Sequence, residues 1–90
     1  MLDISEELDT ISPLEALRAY LENADLSERG FSKICGITAS TFNEIIRMKR
    51  RPSVVDAMKI QNQTGIPAEA LVLFWERNKV RNEIRQLVSG

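Results

Sequence analysis

The sequence predicts an all-α protein, five helices around one core, and three observations carry that reading. Apolar residues recur at three- and four-residue steps along the chain, no segment shows the two-residue alternation of a half-buried strand, and helix-start signals stand at Ser12-Pro13, Ser27, Thr38, Ser53 and Pro67. Ninety residues make one small domain with little room for a second core.

Residues 1–11 place Leu2, Ile4, Leu8 and Ile11 among acids, and read as an acidic N-terminal tail with poor order. Ser12 then caps a first helix, Pro13 suits its first position, and Glu15 completes a capping box. Leu14, Leu17, Leu21 and Ala24 form its apolar face, and it should end near Asn23 or Ala24. Ser27 caps a second helix with Glu28 in the first turn, where the helix dipole favours an acid. Its inward face is Phe31, Ile34 and Cys35, and Gly36 ends it in a left-handed conformation. Ile37 is a buried turn residue. Thr38 caps a third helix, over 38–48, whose inward face is Phe42, Ile45 and Ile46. After a basic loop and Pro52, Ser53 caps a fourth helix with Val54, Ala57 and Met58 inward, ending near Thr64-Gly65. Pro67 opens a fifth, extended helix with Glu69 in its first turn.

Charge is unevenly spread. Residues 1–28 hold eight acids and one base, whereas residues 29–90 hold five acids and eleven bases. The near-neutral total therefore conceals a basic part, and its densest cluster is Arg47, Lys49, Arg50 and Arg51. The sequence contains no histidine, no glycine-rich phosphate loop and no metal-ligand cluster, so catalytic residues, cofactors and metals are not expected. No apolar run approaches the roughly 18 residues of a membrane span, and the acidic N-terminus lacks the apolar stretch of a signal peptide. The lone Cys35 has no intramolecular partner, which fits a reducing cytoplasm, and it reads as an inert core residue.

Burying Phe42, Ile45 and Ile46 sets the phase of the third helix and turns Ala39, Ser40, Asn43, Glu44 and Arg47 outward. A helix enters the DNA major groove with one face buried and the other bearing donors and acceptors for base edges. Asn43 suits an adenine edge, and Arg47 suits guanine or a phosphate. Glu44 either accepts from cytosine or pairs with a nearby base such as Arg47. Phosphate contacts would come from Ser27, Thr38 and Thr41 near the helix N-termini, and from Lys49, Arg50 and Arg51 in the loop.

At these residues the chain resembles the helix-turn-helix domain of the phage repressor and Cro group, the XRE family. The similar stretch runs from Leu26 to about Leu71, with Leu26, Phe31, Gly36, Ile37, Thr41, Phe42, Ile45, Pro52, Ser53, Ile60, Gly65 and Leu71 where the family pattern has such residues. The resemblance implies a lambda-repressor-like five-helix domain over 12–72, bound to double-stranded DNA, bacterial or phage-encoded. Glu28 stands where the family commonly has a glutamine that helps hold a phosphate and the recognition helix, so the resemblance adds Glu28 to the phosphate contacts; Ser32 stands where it has a small alanine, and Ala39 and Glu44 where base-reading or basic side chains are usual.

Residues 73–90 form a C-terminal extension. Leu73, Val80, Ile84 and Leu87 step by seven, four and three, a stripe suited to a homodimer, while Leu71, Phe74 and Trp75 face the domain. The functional expectation is a sequence-specific transcriptional regulator, a small repressor that reads a palindromic operator. The alternative is a protein-interaction adaptor or antitoxin-like protein that keeps the scaffold with weak DNA binding and engages a protein partner such as a toxin. In the resembling antitoxins such acidic extensions fold onto a partner; here the tail is expected to do that or to screen the chain's own basic face.

Overall fold

The computed structural model describes residues 12–89, and every regular element among them is a helix: α1 (Pro13–Asn23), α2 (Glu28–Cys35), α3 (Ala39–Ile46), α4 (Val54–Thr64) and α5 (Ala68–Ser89). The expected tail over 1–11 lies outside the described residues, as does Gly90.

Four helices start as the sequence dictates. The hydroxyls of Ser12, Ser27 and Ser53 accept from the backbone N–H of Glu15, Gly30 and Asp56, each at 3.0 Å, and Thr38 Oγ1 accepts from Thr41 at 3.3 Å. Each bond satisfies a donor that the first helical turn leaves without a partner. The fifth start differs. Ala68 N–H donates to Gln61 Oε1 at 2.8 Å, so a side chain of α4 caps α5 and ties the two helices together.

Leu14, Leu17, Leu21, Phe31, Cys35, Ile37, Phe42, Ile46, Ala57, Ile60, Ala68 and Leu71 form one buried cluster drawn from all five helices. At its centre the Phe31 and Phe42 rings lie 5.2 Å apart, and Tyr20 meets Phe31 edge-on at 5.9 Å. Burial of each such ring is worth about 1.5–3 kcal/mol, so the α2–α3 contact contributes strongly to the core. The central arrangement rests on short connections. Gly36, at φ 79°, supplies the left-handed turn between α2 and α3.

Four residues expected inward are exposed. Ile34 is 52% exposed, and its expected place in α2 is taken by Ser32, which is buried. Ser32 Oγ donates to the Arg29 carbonyl at 2.7 Å, so its one polar group is satisfied and its small size allows close packing. Helix phase follows: Ile34 lies about 100° around the helix from Cys35, outside the arc centred on Phe31, Ser32 and Cys35. In α4 the buried residues are Ala57 and Ile60, and Val54 and Met58 are displaced to the surface. That rotation also places Gln61 where it caps α5. Ala24 lies beyond the last turn of α1 and is exposed.

The fifth helix, 22 residues, is the longest. Its first part packs on the domain through Leu71, with Phe74 and Trp75 half-buried, while residues 81–88 are all exposed. Among the described residues no helix is long and apolar enough to cross a membrane.

Candidate nucleic-acid interface

The third helix buries Phe42, Ile45 and Ile46 at 2% exposure or less, and this fixes its outer face. Ala39, Ser40 and Arg47 are exposed, while Thr41, Asn43 and Glu44 are half-buried. Lys49, Arg50 and Arg51 follow on the surface, so the assigned residues from Thr38 to Arg51 share one stretch of chain, and Ser27 and Glu28 stand at the start of α2, where Glu28 reaches Asn43 and Arg47. The helix is shorter than expected, ending at Ile46 with Arg47 as its cap.

What ends it is a turn in which Met48 takes a left-handed conformation, φ 61°. Met48 N–H donates to the Ile45 carbonyl at 3.1 Å and Lys49 N–H to the Glu44 carbonyl at 2.8 Å, the paired bonds of a Schellman turn. Asp25 does the same after α1, at φ 55°. Glycine is the usual signal for this turn, so neither position was legible in the sequence. Met48 carries no cue at all; aspartate at least tolerates the conformation. The end of α3 is also held from outside, where Arg18 Nη2 donates to the Ile46 carbonyl at 2.9 Å.

The electrostatics of this face are those of paired charges. Glu28, at the first position of α2, accepts on Oε1 from Asn43 Nδ2 at 3.2 Å and from Arg47 Nη1 at 3.1 Å. One carboxylate thus holds two of the expected base-reading side chains. Glu44 pairs with Arg50 at 3.2 Å rather than with Arg47, and Arg51 pairs with Glu76 of α5 at 3.1 Å. All of these side chains are more than a third exposed, so each pair is worth roughly 0.2–1 kcal/mol and orients more than it stabilises. Among the described residues Lys49 is in no ion pair. The Thr38 hydroxyl donates to Thr41 Oγ1 at 2.8 Å, and Ser27 Oγ accepts from Gly30, so these hydroxyls are engaged with their own helices.

The four residues assigned to self-association lie apart from this face, on α5. Leu73, Val80, Ile84 and Leu87 are 44–82% exposed, Leu73 the least of them. Burial pushes the Cys35 thiol above its ordinary pKa range. The described residues include no cluster of three or more His, Cys, Asp or Glu side chains able to hold a metal.

Comparison with family models, with curated proteins and with solved structures returns no match for this chain.

Proposed function

We propose that the chain is a sequence-specific double-stranded-DNA-binding regulator, a small repressor of the XRE, Cro-like kind, with α3 and its cap in the major groove. One observation carries the reading. The outer face of α3 presents Ala39, Ser40, Asn43 and Arg47 directly before the exposed Lys49, Arg50 and Arg51, while its inner face is locked into the core by Phe42, Ile45 and Ile46. A rigid helix with small and polar outward residues beside a basic loop separates base reading from phosphate anchoring. The exposed stripe of Leu73, Val80, Ile84 and Leu87 supports a homodimer, in which two copies of α3 address the halves of a palindrome.

The pairing of Arg47, Arg50 and Arg51 with Glu28, Glu44 and Glu76 favours a second reading, a protein-interaction or antitoxin-like role on the same scaffold, with a protein partner such as a toxin. Three neutralised arginines lower the non-specific pull on a polyanion. Fluorescence anisotropy against duplex DNA from upstream of its own gene and a scrambled duplex, across a salt series, separates the two. Tight binding with a specificity ratio of about 10³ or more near 150 mM salt is the result expected of a regulator. Equal, weak binding that vanishes with salt selects the second reading.

A further inference from the structure

A groove of about 1010 Å³ runs between the start of α1 and the first half of α5. Ser12 and Pro13 stand at one end with the acid Glu15 beside them, Leu73 and Phe74 form an apolar wall, and Arg77 and Arg81 supply two cations along α5 against that one carboxylate. Leu73 is 44% exposed and Phe74 half-buried. Among the described residues neither arginine is in an ion pair. We propose that this groove is the docking site of the chain's own residues 1–11.

Three observations select that occupant. Ser12 lines the groove, so the segment is anchored at its edge. Eleven residues reach about 16 Å as a helix and about 36 Å extended, enough to run beside Leu73–Arg81, which spans about 12 Å of helix. The segment also has matching chemistry: Ile4, Leu8 and Ile11 recur at four- and three-residue steps and suit the Leu73–Phe74 wall, while Asp3, Glu6, Glu7 and Asp9 suit Arg77 and Arg81. The competing basic surface is already partly satisfied, since Arg47, Arg50 and Arg51 each hold a carboxylate. Docking on α5 therefore directs the acidic segment away from the α3 face. It assigns Leu73 to the segment and leaves Val80, Ile84 and Leu87 as the exposed stripe. This inference does not rest on the DNA-binding reading.

The test is NMR on the full chain, isotope-labelled. The expected result is a set of NOEs from the Leu8 and Ile11 methyls to the Phe74 ring, with order parameters for residues 4–11 near about 0.8 rather than below about 0.6. Replacing both Arg77→Glu and Arg81→Glu should lower those order parameters and remove the NOEs, while the Phe31 and Phe42 ring contacts report an intact core. Adding Glu7→Lys and Asp9→Lys should restore them. Low order parameters with no contact to Phe74 in the unmodified chain would overturn the proposal. So would NOEs seen only between a labelled and an unlabelled copy in an isotope-filtered mixture, because the occupant would then be a second chain.

Discussion

Glu28 and Arg47, 19 residues apart in sequence, meet at 3.1 Å, and the same carboxylate oxygen also takes Asn43 at 3.2 Å. The contact makes Glu28 a control point on the α3 face: it aims both side chains and cancels the charge of one. Glu28→Gln keeps an acceptor in place and removes the negative charge. On the DNA reading, this variant should bind all duplexes more tightly and steepen the plot of log affinity against log salt by about 0.9, as Arg47 gains a phosphate. Anisotropy titrations at four salt concentrations measure both. An unchanged slope would show that Arg47 meets no phosphate. Stability should move by less than about 1 kcal/mol, since both partners are exposed.

Asn43 and Arg50 should behave differently from each other. Asn43→Ala removes a side chain suited to one base edge, so it should cost about 1–3 kcal/mol on the cognate duplex and almost nothing on a scrambled one. Arg50→Ala should weaken both duplexes alike and flatten the salt dependence by about one unit. The two variants titrated side by side decide the matter. Identical profiles would mean that the α3 face does not divide into base-reading and phosphate-anchoring parts.

Phe42 couples the candidate interface to the core. Its ring is fully buried against Phe31, and it sits between Thr41 and Asn43 on α3. Phe42→Ala should cost about 3–5 kcal/mol, a large share of the 5–15 kcal/mol available to a domain of this kind. Urea denaturation followed by circular dichroism reads the loss as a lower midpoint at unchanged slope.

Where the sequence was legible, one local interaction decided the outcome. Ser12, Ser27, Thr38 and Ser53 each cap a helix because a hydroxyl three residues ahead of a free N–H satisfies that donor and marks where the helix starts. The α3 face was legible for the same reason, since three apolar residues set its phase. Legibility failed where packing between helices chose among neighbours. Ser32 is buried and Ile34 exposed on α2, and α4 buries Ala57 and Ile60 while Val54 and Met58 face outward. The pairing of Arg51 with Glu76 joins residues whose proximity depends on the packing of the whole domain, and no spacing rule reports it.

Cys35 offers a pH-dependent readout of that core. Burial raises its pKa above the unfolded value, so the folded state prefers the protonated thiol. Below the unfolded value, about 8.5, both states are protonated and the residue adds no pH dependence. As pH rises from there towards the raised folded value, the unfolded chain ionises first and stability is lost. The difference in melting temperature between the unmodified chain and Cys35→Ala should be flat near neutrality and shrink as pH rises through the unfolded value towards the raised folded one. A thiol reagent should react slowly with the native protein at about pH 8 and rapidly once it is unfolded in urea.

Met48 is the residue on which the position of the basic loop depends. Its φ of 61° turns the chain off the end of α3, so that Lys49 N–H returns to Glu44, and of the following arginines Arg50 pairs with Glu44 of α3 and Arg51 with Glu76 of α5. A β-branched side chain resists this conformation more than methionine does, whereas glycine adopts it freely. Met48→Ile keeps a side chain of similar apolar size for the core contact, yet strains the turn. Met48→Gly relaxes the turn and gives up the contact. If the turn dominates, Met48→Ile should be the less stable of the two, by about 1 kcal/mol or more. On the DNA reading it should also lose affinity for every duplex, because Lys49, Arg50 and Arg51 no longer leave the helix in register. Thermal unfolding ranks the pair, and anisotropy shows whether Met48→Gly retains the binding that Met48→Ile loses. The reverse order of stability would mean that the Met48 side chain serves the core first and the loop second.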